Sequence, residues 1–406
     1  MNVQSRPQPL GGAIFTRPVQ ALAVFAGIAG LLIIWRFIVG LGASTALNDG
    51  YPWGLWIAFD VVTGTALSCG GYAVALLVYI LNRGKYHPLI RPALVTSAFG
   101  YTIAGLSVMI DIGRPWIAYK LPFFWDWNLN SVLLEVALCI MSYTVVLWLE
   151  LSPAFLEAAR TSTYSLFRRV GDIGLPVANK SLLWLVALGM LLPTMHQSAL
   201  GSLMLLSGPR LHPLWNTSML PLLFLLSCIA MGFGAVVMEG ALSSKFLGRK
   251  SETDMLAGLG FAMLPVLGLY LGIRLIDLGV RGQFGALFAF DHYSVMSLIE
   301  LALFVTAAVL LATDRRRRDA GNLFRAAMLL VLAGALYRFD VYLVAFQPGP
   351  NWSYFPSITE ILVTSGLVAG EIAGYIVLIK LFPIMTGEPQ AAAAGPGGET
   401  LWLASR

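Results

Sequence analysis

The sequence predicts an all-α polytopic membrane protein, and three observations support this fold class. Hydrophobic residues make up 58% of the 406 residues and charged residues only 12%, whereas a soluble domain has roughly 25% charged residues. Ten apolar runs approach the length of about 20 residues that crosses the hydrocarbon core of a bilayer. Runs such as LLIIWRFIVGLG lack the two-residue alternation of a barrel strand. The composition therefore excludes a soluble enzyme.

The ten predicted spans divide the chain into a membrane domain and two short ends. The first apolar run is too long for a signal-peptide core and has no small-residue cleavage site after it, which indicates an uncleaved helix. We expect a cytoplasmic segment over residues 1–17, a transmembrane domain over 18–385 and a disordered cytoplasmic tail over 386–406. The spans cover approximately residues 18–41, 54–82, 92–113, 130–152, 181–206, 219–243, 255–277, 292–312, 323–346 and 358–383.

Lysine and arginine are distributed unevenly between the two sides of the predicted bundle. Of the 26 basic residues, 19 lie on the side that carries the N-terminus. The positive-inside rule therefore predicts that both termini are cytoplasmic, in agreement with an even number of spans. Short basic clusters between apolar runs are typical of membrane orientation and not of phosphate binding, so we exclude nucleic acid as a partner.

A weak internal repeat relates the two halves of the chain. Residues 110–114 (IDIGR), at the end of span 3, resemble residues 276–281 (IDLGVR), at the end of span 7. Because four spans separate the two segments, the repeat favours two four-helix bundles, spans 2–5 and 6–9, flanked by spans 1 and 10. Chance similarity among apolar helices is the alternative. A two-bundle secondary transporter would also explain such a repeat.

Cysteine and histidine spacing bears on metal and haem content. The three cysteines lie in apolar stretches without CxxC or CxH spacing, which predicts neither an iron-sulfur cluster nor another metal site: Cys69, Cys139 and Cys228. His87 and His212 each precede a proline in a loop. His292 opens span 8, so only His196 lies well inside the membrane. Since a transmembrane b-type haem normally has two axial histidines, we expect no haem.

Ionisable residues are concentrated near the end of the bundle opposite the termini. An ionisable group in hydrocarbon costs about 2.5–3.5 kcal/mol on insertion scales, so each one is a candidate functional residue. The alternative is that they form interfacial ion pairs and helix caps. The carboxylates are Asp60, Asp111, Glu135, Asp277, Glu300 and Asp340, and the arginines are Arg114, Arg274, Arg281 and Arg338.

Three residues at successively greater distance from that end suggest proton transfer. Glu135 belongs to a polar stripe with Ser131, Cys139 and Ser142 on span 4, which we expect to face into the bundle. His196 follows a proline within span 5, and Glu239 lies toward the cytoplasmic end of span 6. A carboxyl or imidazole at such depth suits proton exchange. A structural role, as a hydrogen-bonded residue of the helix core, is the alternative for Glu135 and for His196.

Tryptophan is concentrated at the same end as the carboxylates. An aromatic belt predicts enrichment at both membrane interfaces, so a one-sided excess indicates a protein-docking surface or a flat aromatic ligand. Eight of the eleven tryptophans lie there: Trp35, Trp53, Trp56, Trp116, Trp125, Trp127, Trp215 and Trp352.

Several segments with polar and glycine positions resemble the NrfD and polysulfide-reductase family of integral membrane subunits. Within it, the resemblance is to HybB-type membrane subunits of periplasm-facing nickel-iron hydrogenases, and it covers roughly residues 7–385. The matching segments are PQPLGG (7–12), YPWGLWIAFD (51–60), SCGGYA (68–73), NRGKYHPLIRPAL (82–94), DIGRPW (111–116), NLNSVLLE (128–135), LLPTMHQSALGSLM (191–204), HPLW (212–215), DHYSVM (291–296) and YFPSITE (354–360).

The resemblance implies a subunit of the bacterial inner membrane without a redox cofactor of its own. In that family, electrons pass from a periplasmic catalytic module, here the large and small [NiFe]-hydrogenase subunits, through a ferredoxin-like iron-sulfur subunit to menaquinone or ubiquinone. The partners it implies are these subunits and membrane lipid. A membrane subunit of another periplasmic oxidoreductase of the same family is the alternative.

Two groups of residues are the predicted functional sites. A quinone site needs apolar walls and a few hydrogen-bonding groups, and we predict one near Trp53, Asp111, Arg114, Asn130 and Glu135. Quinone reduction also needs protons. We predict a relay from the cytoplasm through Glu239, His196 and Glu135, with Tyr101 as an auxiliary donor.

Overall fold

The computed structural model describes residues 7–247 and 252–385, and within them it contains ten helices long and apolar enough to cross a membrane. The predicted all-α polytopic fold is confirmed. The predicted tail lies outside the described residues, as do Arg6, Arg249, Lys250 and Arg406. The helices are α1 (Arg17–Val39), α2 (Trp56–Ile80), α3 (Gly84–Asp111), α4 (Val132–Arg160), α5 (Ser165–Leu205), α6 (Leu220–Phe246), α7 (Thr253–Val280), α8 (His292–Leu311), α9 (Ala320–Val344) and α10 (Ile358–Leu381).

The first and last described segments lie together on one side of the molecule, which we call the terminal face. The backbone N–H of Gln8 donates to the carbonyl of Met385 at 3.0 Å, and that of Leu10 donates to Ile379 at 2.9 Å. The other side, which carries the loops 40–55, 112–131 and 345–357, is called the opposite face. An even number of helices returns the chain to the side on which it began.

Polar residues fix the starts of several helices at the opposite face. The side chains of Ser131 and Asp291 accept backbone N–H groups at the starts of α4 and α8. At the start of α10, Ser357 and Glu360 form a reciprocal capping box. Such caps satisfy N–H groups that have no partner within the helix. These capping residues are not among the carboxylates and arginines for which the sequence suggested a capping role.

Helices α2 and α6 form the centre of the molecule. In the most apolar stretch of each helix, 78% of the residues of α2 and 72% of those of α6 are buried, whereas only 11% are buried in α1. A Cβ added at Gly232 of α6 would lie 2.6 Å from the carbonyl oxygen of Cys69 of α2, so the two backbones touch. Small residues at such contacts are typical of transmembrane helix pairs. Helices α1 and α10 pack together, and α10 also contacts α3, an arrangement consistent with two bundles and two flanking helices.

Two helices depart from α-helical geometry where a buried aspartate occurs. Helix α2 begins as a π-helix over Trp56–Thr63, which contains Asp60. Helix α9 ends as a π-helix over Asp340–Val344. In α2, the hydroxyl of Thr63 donates to the carbonyl of Ala58, five residues earlier, at 2.9 Å. Since π-helical turns occur frequently at functional sites, both aspartates are candidates for function.

Candidate functional site

Asp60 lies where α2, α3 and α10 meet. Ser107 of α3 and Thr364 of α10 donate hydrogen bonds to its Oδ2, at 3.2 and 3.0 Å. The other oxygen, Oδ1, is buried and has no hydrogen-bond partner among the described residues. Asp60 is thus a buried carboxylate held by neutral donors. The interfacial ion pair considered from the sequence is not formed there.

Two further carboxylates lie between α3, α6 and α10, nearer the terminal face. Thr96 of α3 donates to Oε2 of Glu239 at 3.0 Å, and Tyr375 of α10 donates to Oε1. Glu371, one turn before Tyr375, interacts electrostatically with both Asp60 and Glu239. We call Asp60, Glu371 and Glu239 the acidic row, because Glu371 links the other two.

A small cavity lies beside Glu239 at the terminal face. Its wall includes Ser243 of α6 and Glu252, which directly precedes α7. Met385, which pairs with Gln8 at that face, also contributes to the wall. Glu239 is therefore positioned between a polar opening and the interior of the bundle. The remaining lining residues are Pro88, Leu89, Pro92, Ala93, Val236 and Gly240.

Asp111, the last residue of α3, lies at the opposite face. It interacts electrostatically with Arg36 of α1 and with Glu360 of α10. Its Oδ1 is buried without a hydrogen-bond partner among the described residues. The guanidinium of Arg36 donates to the carbonyl of Ile112 at 2.7 Å, which ties α1 to the end of α3.

Glu360, in the first turn of α10, is fully buried and is held by the surrounding loops. It accepts the backbone N–H groups of Ala46 and Ser357, each at 2.9 Å. The hydroxyl of Tyr354 donates to its Oε1 at 2.6 Å. Burial, together with this hydrogen bond to Glu360, raises the pKa of Tyr354 well above its usual value. The Tyr354 hydroxyl therefore remains a donor to Glu360.

His196 belongs to a separate polar network that joins α2, α5 and α9. Its Nε2 lies 3.3 Å from Oγ1 of Thr65, and Gln197 donates to the same oxygen at 3.0 Å. The guanidinium of Arg338 donates to Oε1 of Gln197 at 3.1 Å. Tyr101 packs edge-on against the imidazole, with 5.6 Å between ring centroids. The Nδ1 atom of His196 is buried and has no partner among the described residues.

The second half of the chain buries charges of both signs. Trp215 and Tyr270 donate to the carboxylate of Glu300, each at 3.1 Å, and Nε of Arg274 lies 4.0 Å from it. Arg274 also donates to the carbonyl of Leu214 at 2.7 Å. We call Arg274, Glu300, Trp215 and Tyr270 the paired cluster. Here the ion-pair interpretation of the sequence agrees with the observed contacts.

The five residues predicted to bind quinone lie at or near the opposite face, but no hydrogen bond or ring contact between described residues joins any two of them. Trp53 donates to the carbonyl of Tyr342 at 3.0 Å and so packs against α9. Asp111 faces α1 and α10. Arg114 and Asn130 are exposed in the loop between α3 and α4, and Glu135 is half-buried in the first turn of α4.

The predicted relay residues fall into three separate neighbourhoods. Tyr101 and His196 are in ring contact, whereas Glu239 contacts Thr96 and Tyr375. No described hydrogen bond connects Glu135, His196 and Glu239 to one another. In the polar stripe of α4, Cys139 is buried but Ser142 is exposed, so the prediction that the whole stripe faces the bundle is wrong. From Glu135 to Ser142, two turns of α4, the stripe turns away from the neighbouring helices.

Sequence reasoning missed several participating residues. The sequence patterns assigned no role to Arg36, Gln197, Thr364 or Glu371. A usable signal was present in α10, where Glu360, Thr364, Glu371 and Tyr375 recur at helical spacing and form one polar face. Gln197 accepts a hydrogen bond from Arg338, which lies 141 residues later in the sequence. No local pattern reveals such a pair.

The loop between α3 and α4 exposes large aromatic side chains at the opposite face. We call residues 112–131 the aromatic loop. Its most exposed rings are Trp116 (71%), Phe124 (71%) and Trp125 (66%). Trp56 and Trp215, by contrast, are buried in the bundle. The one-sided tryptophan excess is therefore partly a loop surface and partly core packing.

Comparison with known proteins identifies the family. Residues 43–347 match the family described as polysulphide reductase, NrfD. The chain belongs to this family. It is 44% identical to the probable Ni/Fe-hydrogenase 2 b-type cytochrome subunit of Escherichia coli, over 93% of this chain and 95% of that protein. The resemblance inferred from the motifs is confirmed.

More distant relatives include subunits of other reductases. The chain is 31% identical to the integral membrane subunit of menaquinone reductase from Nitratidesulfovibrio vulgaris, over 54% of this chain and 52% of that protein. It is 22% identical to a selenate reductase subunit from Mesobacillus selenatarsenatis, over 90% of this chain and 94% of that protein.

The E. coli relative overturns the prediction of a subunit without haem. Its name describes a b-type cytochrome subunit, and such a subunit implies haem. The prediction rested on histidine spacing and on the family resemblance, and it is wrong.

The histidines of this NrfD-type chain do not fit a haem with two axial imidazoles. Nε2 of His196 faces Thr65, and Tyr101 packs against the ring. The ring of His292 lies against that of Tyr293 at the start of α8, tilted by 41° with 3.6 Å between the ring centroids. Among the described residues, no second histidine faces His196.

Proposed function

We propose that this chain is the quinone-reactive membrane anchor of a respiratory [NiFe]-hydrogenase complex. The observation that carries the proposal is the 44% identity that extends over 95% of the E. coli hydrogenase 2 subunit. The menaquinone reductase relative supports a quinone as the substrate. Electrons from the hydrogenase subunits pass through a ferredoxin-like iron-sulfur partner to menaquinone or ubiquinone.

The proposed orientation has the terminal face in the cytoplasm and the opposite face in the periplasm of a bacterial inner membrane. The side that carries 19 of the 26 basic residues supports this orientation. The aromatic loop then lies in the periplasm, where the iron-sulfur partner docks. Exposed tryptophans suit this role because Trp often contributes strongly to protein interfaces.

The proposed quinone site lies at the opposite face, near Trp53, Asp111, Arg114, Asn130 and Glu135. Its support is the combination of aromatic, acidic and cationic side chains near one membrane surface. Structure determination with a quinone-site inhibitor tests the position. Inhibitor bound only between α6 and α9 would refute it.

The proposed proton relay begins at Glu239 and uses His196 and Glu135, with Tyr101 as an auxiliary donor. Its steps exceed hydrogen-bond length and need intervening water. We expect Glu135→Gln and His196→Ala to abolish hydrogen-dependent quinone reduction, while hydrogen oxidation with an artificial periplasmic dye continues. Wild-type quinone reduction in both variants would contradict the relay.

Purification from the native membrane tests the complex as a whole. We expect the tagged chain to co-purify with an iron-sulfur subunit and the two hydrogenase subunits. Co-purification with a different periplasmic oxidoreductase would support the alternative assignment within the family. A protein that purifies alone and moves a solute in liposomes would refute the proposal in favour of transport.

Substitution in the aromatic loop tests the docking surface. We expect Trp116→Ser with Trp125→Ser to release the iron-sulfur partner during purification, because both rings are largely exposed. Tyr164→Ser with Phe167→Ser is the matched control, since these aromatics are also exposed but lie at the terminal face, Tyr164 just before α5 and Phe167 in its first turn. Equal retention of the partner by both double variants would contradict docking at the loop.

A further inference from the structure

We propose that the acidic row is the path by which protons cross from the terminal face, with Glu371 and Asp60 as its two inner carriers. The inference rests on the proposed function, because it supplies the protons that quinone reduction consumes. It adds residues outside the predicted relay. Beyond Glu239, the described hydrogen bonds lead toward α10 and not toward His196.

The entrance of the path is the cavity beside Glu239. Ser243 and Glu252 give this cavity polar atoms at the terminal face. Glu239 is then the first group inside the bundle, and its oxygens accept hydrogen bonds from Thr96 and Tyr375. Water that enters this cavity can therefore exchange protons with Glu239, which lines it.

Glu371 is the middle of the path. It lies on α10 between Thr364, which donates to Asp60, and Tyr375, which donates to Glu239. Gly100 of α3 lies beside it: a Cβ there would be 3.5 Å from Oε1 of Glu371, which is an ordinary contact, but only 1.6 Å from Oγ of Ser68, so the glycine makes room for Ser68. A larger residue would fill the space where α2, α3 and α10 bring these polar groups together.

Asp60 is the inner end of the path. Thr364, which binds Asp60, and Glu371 are seven residues apart on α10, so the step between the two carboxyls follows about 10 Å of helix. A step of that length needs water between the groups. The buried and unpartnered Oδ1 of Asp60 is an acceptor available for such a water.

The charges around the row distinguish it from an ordinary buried ion pair. No described cation forms an ion pair with Asp60 or Glu371. The cation of this region is Arg36 of α1, which interacts with Asp111 at the end of α3. Glu360 of α10 is the other charged group near Asp111 at the opposite face. At the end of the row nearer the terminal face, the titratable groups are Glu239 and Tyr375. A carboxyl without a fixed cation can gain and lose a proton at lower cost than a paired one.

The chemistry balances with the proposed electron source. Each quinone accepts two electrons from the iron-sulfur partner and two protons from the row, and becomes a quinol. Hydrogen oxidation in the partner releases its own two protons at the opposite face. Turnover therefore removes protons from the compartment at the terminal face.

Substitution of the inner carriers in the intact complex tests the path. We expect Glu371→Gln and Asp60→Asn to slow hydrogen-dependent quinone reduction by at least about tenfold. Hydrogen oxidation with an artificial dye should stay at the wild-type rate. Glu150→Gln is the matched control, since Glu150 lies against Gly189, between α4 and α5, away from the row. Wild-type quinone reduction by both row variants would overturn the path.

His196→Ala separates the path from the predicted relay. If it reduces quinone normally while Glu371→Gln does not, the row carries the protons. If the reverse holds, the relay stands and the row is refuted. Loss in both variants supports the row, with His196 as an additional requirement.

Infrared spectroscopy tests the row without any quinone turnover. On a pH step applied to the purified complex, we expect a carboxylic-acid C=O band that Glu371→Gln removes and Glu150→Gln leaves in place. If the wild-type complex shows this band but reduces no quinone, proton exchange in the row is supported and the proposed function is refuted. A spectrum unchanged by Glu371→Gln and Asp60→Asn would overturn the row.

Discussion

The acidic row and the paired cluster bury carboxylates in opposite ways. In the paired cluster, Glu300 has a guanidinium 4.0 Å away and two side-chain donors. In the row, Asp60 has only hydroxyl donors and one oxygen without a described partner. Charge pairing therefore differs between two sites of similar depth. A buried carboxylate becomes a candidate proton carrier when its neighbours solvate it but do not neutralise it.

Removal of the cation from the paired cluster should have the largest effect on stability. We expect Arg274→Leu to cost about 3–5 kcal/mol, because it leaves the buried carboxylate of Glu300 without its cation. Thermal unfolding of the purified protein in detergent measures this loss. Arg318→Gln is the control, since its ion pairs with Asp314 and Asp254 are exposed and should contribute little. Similar melting temperatures for the two variants would contradict the comparison.

The same measurement on the row should give the opposite result. We expect Glu371→Gln to leave the melting temperature unchanged or to raise it, because a neutral amide is less costly to bury than an unpaired carboxylate. A loss of stability comparable to that of Arg274→Leu would show that Glu371 is structural.

A matched pair of glycines tests how tightly the row is packed. We expect Gly100→Ala to cost about 1–3 kcal/mol, because its Cβ would collide with Oγ of Ser68. Gly105→Ala on the same helix meets only Ile140, at 3.7 Å, and should stabilise α3 by about 0.5–1 kcal/mol. Denaturant titrations of both variants check the difference. Equal changes would mean that the polar groups near Gly100 can separate freely.

The smallest effect is expected at a single donor to the row. We expect Thr364→Val to cost about 1 kcal/mol, because it removes one of the two hydrogen bonds to Asp60. Quinone reduction should slow less than in Asp60→Asn, since the carboxyl itself remains. Thr306→Val is the control, because its hydroxyl donates only within α8 and is exposed. The rate of Thr364→Val relative to Asp60→Asn provides the measurement.

The sequence predicted the helices far better than the contacts between them. Ten spans and a shared side for both termini follow from the cost of unsatisfied backbone groups in hydrocarbon, which acts on each segment separately. The partners of Asp60 and Gln197 depend on helices that are distant in sequence, such as Thr364 and Arg338. Interhelical geometry of this kind is set by packing, and apolar periodicity carries no information about it.

Histidine counting failed for a related reason. It took the shortage of paired histidines in the membrane to mean that no haem is bound, and the name of the E. coli relative, a b-type cytochrome subunit, contradicts that expectation. Helical spacing predicted that Glu135, Cys139 and Ser142 share one inward face of α4. Cys139 is buried and Glu135 is half-buried, but Ser142 is exposed. Spacing gives a residue's angle on its helix, whereas its environment depends on how the neighbouring helix is tilted.

The backbone contact between Gly232 and Cys69 has a mechanical consequence. Alternating-access transport requires one half of a molecule to rock against the other. A contact without intervening side chains leaves no space for α2 and α6 to slide, and the hydrogen bond from Arg338 to Gln197 fastens the same boundary. We therefore expect the two halves to move as one rigid body during turnover, so that protons and electrons travel through a scaffold whose helices keep their positions.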